Sequence, residues 1–235
     1  MRIFTIADLH LGFAVDKPMD IFGAVWKDHP DKIESNWKKA VGNSDIVLIP
    51  GDISWGMNFK EAGPDLVFLD SLPGIKYISR GNHDFWWSSL SKVRDFLGSS
   101  IIPVERNAVD CGNFILAASK GWNTPLWEGY KPSEDKKLYE RELGRMKIAL
   151  DKATLLKKPG QKMVYMMHFP PVVDGKPSEF AELLSDYEVS LCLYGHLHGE
   201  WPSKVNMEHK GVSYRIASAD YLNFKPLDIT GEVTE

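Results

Sequence analysis

Residues 191–199 read LCLYGHLHG. An apolar run stops at a glycine, and two histidines, His196 and His198, follow one residue apart. Six other short runs have the same make-up: RIFTIAD (2–8), DIVLIPGD (45–52), KYISRGNHD (76–84), FILAAS (114–119), KMVYMMHFP (162–170) and VSYRIAS (212–218). Runs of roughly four to eight apolar, β-branched residues closed by Gly, Pro, Asn or Asp read as buried strands. Helical patterns lie between several of them: SNWKKAVGN, DLVFLDSL and SSLSKVRDFL. Strand–helix alternation predicts an α/β layered fold. The 235 residues show no repeat and no shift in composition, so the whole span 1–235 reads as one domain. Residues 133–157 predict one long amphipathic helix capped by Ser133, with Leu138, Leu143, Met146, Ile148 and Leu150 on its apolar face and Pro159-Gly160 ending it.

The ends of the predicted strands carry the chemistry. The first ends in ADLHLG, with Asp8 and His10; the second in PGD, with Asp52; the third in GNHD, with Asn82, His83 and Asp84. Then come His168 in MMHFPP, and His196 and His198. Five of the seven histidines fall in these stretches, leaving only His29 and His209 outside. In open α/β sheets the loops that leave the carboxyl ends of the strands meet at one edge. Each fragment alone is commonplace: an Asp-x-His is most often a capping acid and a surface histidine, and Gly-Asp after a strand is most often a turn. Their joint placement points instead to one site.

Imidazole and carboxylate together suit Mn, Fe, Co, Ni or Zn better than Mg or Ca, which prefer all-oxygen shells. An extended Asp-x-His or His-x-His segment would return its second side chain to the same face, with the neighbouring glycines relieving crowding. A carboxylate has two oxygens and can bridge two cations. Two cations about 3.5–4 Å apart can clamp the attacking and leaving oxygens of an in-line displacement at phosphorus.

In this order, DLH, GD, GNHD, H and GHLH over residues 8–198, the chain resembles the calcineurin-like metallophosphoesterase superfamily. The resemblance implies a four-layer α-β-β-α sandwich of two mixed β-sheets flanked by helices; periodicity alone does not yield the second sheet. It implies two divalent transition-metal ions, manganese favoured. Asp8, His10, Asp52 and His198 would hold the first, and Asp52, Asn82, His168 and His196 the second, with Asp52 shared. His83 would be a catalytic proton donor or phosphoryl-stabilising group, with Asp84 orienting it. The implied reaction is hydrolysis of a phosphomonoester or phosphodiester by a hydroxide between the two cations.

Departures from better-defined branches narrow the expectation. Protein Ser/Thr phosphatases of the superfamily carry GDxxDRG, where this chain has GDISWG. UDP-diacylglucosamine hydrolases usually carry Arg in place of His83. The repair nucleases add a capping domain and coiled coil, for which the stretch after His198 leaves little room. A small phosphoester substrate is expected. Nucleic acid is a less favoured partner, since the net charge of −4 gives no general attraction to polyanions. A metal-dependent nuclease and a protein-binding scaffold on the same fold are the alternatives, and retention of every ligand position argues against the scaffold. The oligomeric state is left open. The N-terminal apolar run is broken by Asp8 and His10, reading as neither a signal peptide nor a membrane span. A cytoplasmic location and reduced thiols at Cys111 and Cys192 are expected. Arg80 reads either as a phosphate contact or as a structural salt bridge. Trp55, Trp86 and Trp87 read as candidate pocket walls or core, and the aromatic loop 121–132, with Trp122, Trp127 and Tyr130, as a candidate lid.

Overall fold

The seven predicted runs all become strands, and they divide between two sheets. In the computed structural model, which describes residues 1–199, 201 and 204–234, the first sheet contains β1 (Ile3–Thr5), β2 (Ile46–Pro50), β3 (Ile75–Ser79) and β4 (Ile101–Pro103). The second contains β5 (Asn107–Asp110), β6 (Phe114–Ser119) and β7 (Lys162–Met167). A small hairpin, β8 (Val172–Val173) and β9 (Lys176–Pro177), stands apart. The second sheet is completed by β10 (Leu191–Tyr194), β11 (Met207–His209) and β12 (Val212–Ile216), and the first by β13 (Leu227–Asp228). The strand orders are β13-β1-β2-β3-β4 and β11-β12-β10-β7-β6-β5. Strands β1–β4 run parallel, as do β6, β7, β10 and β12; β13, β5 and β11 are antiparallel edge strands.

The period-two alternation of side chains sorts the core into three layers. Ile46 and Leu48 of β2, Phe114 and Leu116 of β6, Val164 and Met166 of β7, and Leu191 and Leu193 of β10 fill the space between the sheets. Their neighbours Val47 and Ile49 face outward onto α1 (His29–Ala40), α2 (Phe59–Ser71) and α3 (Leu90–Phe96), meeting Trp37, Leu66 and Val93. Met163, Tyr165, Cys192 and Tyr194 face the other way, onto α4 (Pro132–Leu156) and α5 (Glu179–Asp186). The result is a four-layer α-β-β-α sandwich of two mixed sheets. A short α6 (Thr230–Thr234) places Val233 in the middle layer. Cys111 and Cys192 are both free. No helix among the described residues is long and apolar enough to cross a membrane.

The long helix forms, but its cap and its face differ from expectation. Lys131 occupies the cap position and Pro132 the first turn, where its missing N–H costs nothing. Asp135, not Ser133, accepts from the Lys131 amide. The buried stripe is Tyr139, Glu142, Met146, Ala149, Leu150 and Ala153, while Ile148 faces solvent. The small alanines let the helix sit close to the sheet.

Leu193 is fully buried between the sheets and Leu155 is 87% exposed. Leu193→Ala should lower unfolding free energy by about 2–5 kcal/mol in a urea titration. Leu155→Ala should stay within about 0.5 kcal/mol.

Candidate metal centre

All nine sequence-predicted side chains lie in segments that leave the carboxyl ends of β1, β2, β3, β7 and β10. The backbone reaches this arrangement by an unexpected route. Asp8, His10, Asp52 and His196 have φ of 58°, 45°, 53° and 73°. These left-handed values are costly for residues with a Cβ, roughly 1–2 kcal/mol each. The Asp-x-His segment is therefore not extended. A turn at Asp8 and a second at His10, rather than alternation along a strand, bring the two side chains inward.

Two nests of donor atoms result. In the first, His10 Nε2 and His198 Nε2 are 3.2 Å apart, and Asp8 Oδ1 is 3.5 Å from His198 Nε2. In the second, Asn82 Oδ1 is 2.7 Å from His168 Nε2 and 2.9 Å from His196 Nδ1, and those two nitrogens are 3.3 Å apart. Asp52 lies between them: its Oδ2 is 3.8 Å from His10 Nε2 and 3.3 Å from His168 Nε2. Asp8, His10 and His198 form one group able to hold an ion, and Asp8, Asp52 and His168 another, the candidate ligand atoms in each lying within 4.8 Å of one another.

Outer contacts aim the lone pairs inward. His168 Nδ1 lies 3.1 Å from the Pro50 carbonyl, and His198 Nδ1 lies 3.0 Å from Asp220 Oδ1. Each oxygen accepts the Nδ1–H, which leaves Nε2 as the lone-pair atom facing the nest. Several acceptor atoms then face one another at 2.7–3.3 Å with too few hydrogens to share. A cation satisfies such a set, and its mixture of imidazole, carboxylate and amide oxygen suits transition metals. Burial tends to raise the Asp52 carboxyl, but His168 and His10 outweigh it and hold it well below the usual carboxylate range. Burial likewise opposes charge on His198, yet Asp8 and Asp220 drive it up to about 10, so without a cation a proton sits on Nε2, and a bound cation would take that proton's place. Burial lowers His196 to about 3, with His168 pushing the same way.

Asp84 does not orient His83. Its oxygens accept from the amides of Gly81, Asp52, Ile53 and Ser54 and from the Trp86 indole, at 2.8–3.2 Å. With every lone pair turned to those donors, it ties the loop after β2 to the loop after β3. Burial and the neighbouring Asp52 charge push its carboxyl up to about 6, with the amides pulling the other way. The His83 backbone amide donates to Asp52 Oδ1 at 2.8 Å. Its ring lies 4.4 Å from that of Trp55 and 5.7 Å from that of His10. Burial lowers its pKa, opposed by Asp52.

Two contributors escaped the sequence reading. Asp220 also accepts the Gly199 amide at 3.0 Å; an acid just past the β12 run was a signal of the same kind as the others. Buried His29 reaches the His10 and Trp26 carbonyls, each at 3.2 Å, but holds the loop rather than joining either nest. Of the candidate wall residues, Trp55 stacks on His10 at 4.8 Å and lines the open side. Trp86 and Trp87 are core residues under the first sheet's helices. Arg80 Nε is buried without a hydrogen-bond partner. Trp122, Trp127 and Tyr130 pack on the core beneath α4, with the Trp122 indole donating to Asp135, so loop 121–132 does not form the wall of the cavity beside His83.

The sequence profile of the calcineurin-like phosphoesterase family matches residues 1–200. No curated protein sequence matches the chain. Among solved structures, a protein of unknown function, AQ665 from Aquifex aeolicus, superposes with a TM-score of 0.53 at 17% identity, covering 97% of this chain and 95% of its own. The phosphopantetheinyl hydrolase PptH from Mycobacterium tuberculosis superposes with a TM-score of 0.58 at 14% identity, covering 92% and 88% respectively. At these identities the likeness concerns the fold.

The motif glycines exist for space. A Cβ on Gly81 would collide with Asp52 Oδ1 and the Asp52 amide nitrogen, and one on Gly195 with Asp8 Oδ2. Gly81→Ala should therefore displace Asp52 and yield protein with at most half the bound metal of wild type by elemental analysis. Gly144→Ala, on an open face of α4 with no atom within 4 Å of the added carbon, should retain the wild-type metal content.

Proposed function

The chain belongs to the calcineurin-like phosphoesterase family, and from that premise we propose that it is a hydrolase of small phosphomonoesters or phosphodiesters using two divalent transition-metal ions, manganese favoured. The observation that carries this reading is the pair of donor nests meeting at Asp52 Oδ2, 3.8 Å from His10 Nε2 and 3.3 Å from His168 Nε2. Asp8, His10, Asp52 and His198 would hold the first ion, and Asp52, Asn82, His168 and His196 the second. When bound, two such ions supply Lewis acidity toward phosphoryl oxygens and bring the pKa of water toward neutrality.

The chain's own groups do the rest. Asp220 and the Pro50 carbonyl fix the tautomers of His198 and His168, so neither ring must reorient during turnover. Asp84 locks the backbone that presents Asp52 and His83. His83 stands on the open side of the nests with no side-chain hydrogen bond among the described residues, free to meet a leaving oxygen or an equatorial phosphoryl oxygen. Small phosphoesters suit the site better than nucleic acid, because the net charge of −4 gives no general attraction to polyanions.

Turnover of p-nitrophenyl phosphate or bis-p-nitrophenyl phosphate should require added Mn²⁺ and stop with EDTA; no turnover of either ester with any divalent metal would contradict the proposal. His83→Ala should keep its metal and lose about 10²–10⁴-fold in kcat. Metal loss in that variant would make His83 a ligand.

A further inference from the structure

A cavity of about 230 Å³ opens beside the nests, lined by His10, His83 and His198, by Met19, Phe22, Trp26 and Trp55, and by Gly199. Resting on the phosphoesterase reading, we propose that this cavity selects phosphoesters whose alcohol portion is a compact apolar group of about six to ten carbon atoms, alkyl or aryl, rather than a sugar or a nucleoside.

Size sets the first limit. An apolar cavity of about 150 Å³ accommodates benzene, so this one has room for a ring with a short extension. Chemistry sets the second. Apart from the three imidazoles, no side chain that lines the cavity among the described residues is an amide, carboxylate, hydroxyl, amine or guanidinium. The Trp55 indole N–H is already directed to Met19 Sδ at 3.2 Å. Sugar hydroxyls or a base edge would leave water here for few replacement partners, the His83 ring and the Trp26 indole N–H chief among them, whereas an apolar group gains by leaving water.

Position ties the cavity to the reaction. His83 lines it and also borders the nests, so an ester oxygen within its reach places the attached carbon inside the cavity. The far wall is pre-formed. Trp26 is 2% exposed, packed edge-on to His198 at 5.4 Å and to Phe224 at 5.2 Å. At the mouth, the segment Met19–Trp26 leaves Ile21 73%, Phe22 64% and Val25 45% exposed. Three large apolar side chains turned outward in five residues extend the apolar surface past the rim.

The test uses manganese-loaded protein and methyl-, propyl-, hexyl- and phenylphosphonate, with 2,3-dihydroxypropylphosphonate as the polar control, read by calorimetry. The headgroup charge is constant, so affinity differences report the cavity. Hexyl- or phenylphosphonate should bind about 10²-fold more tightly than methylphosphonate, and the dihydroxypropyl compound no better than methyl. Phe22→Ser, at the exposed rim, and Met19→Trp, which fills the cavity, should each reduce the hexyl-to-methyl ratio about tenfold. Absence of binding, affinity independent of chain length, or tightest binding by the dihydroxypropyl compound would overturn the assignment. Phosphonate selectivity without turnover of any ester would instead count against the phosphoesterase reading and leave the cavity's preference standing.

Discussion

Asp52 is where two sets of buried acceptors meet. Around it the chain assembles buried carboxylates from Asp8, Asp52 and Asp84 and imidazoles from four strand ends, with His10 and His168 buried and His83, His196 and His198 half-buried toward the open side. Without positive charge at its centre this arrangement is unfavourable. Facing lone pairs repel, and buried carboxylates near one another are expensive in a low dielectric. Cation binding converts the same groups into mutual support, so part of the folding free energy of this edge is metal-binding free energy. The local backbone reads as the consequence. Left-handed turns at Asp8, His10, Asp52 and His196 are held in place because the surrounding strands over-determine them.

The two sheets share the work. The first sheet's parallel strands deliver Asp8, His10, Asp52, Asn82 and His83; the second delivers His168, His196 and His198. The middle core layer therefore does more than stabilise, since it fixes the distance between two halves of one centre. Asp84 performs the same task within the first sheet, joining the β2 and β3 loops through backbone amides. A carboxylate spent on four amides and an indole has no lone pair left for a neighbouring imidazole. For that reason the acid next to His83 in sequence is not its partner in space.

Much of this was legible in the residues, in a pattern with a physical explanation. The seven runs that read as strands are those with partners on both sides, or with a full buried face, where apolar content must be high. The large-sheet strands that went unread, β4, β5, β11 and β13, all lie at sheet edges. IIP, NAVD, MEH and LD are short and partly exposed, so burial does not dictate their composition. The division into two sheets was invisible because parallel strands buried on both faces look alike, whichever sheet they join. At the site, residue types and spacing announced which side chains would converge, but not how the backbone would aim them. Trp55 was a legible wall candidate, but sequence order gave no sign that residues 19–26, rather than the aromatic loop at 121–132, would join it on the open side. Short apolar segments state that they seek a surface, not which one.

The account stands on two cations held in common by one carboxylate. Anomalous diffraction from crystals grown with Mn²⁺ measures this most directly. The expected result is two peaks about 3.5–4 Å apart, one among Asp8, His10 and His198, the other among Asn82, His168 and His196, with Asp52 touching both. No peak in this region, or one ion with Asp52 turned away from it, would contradict the account.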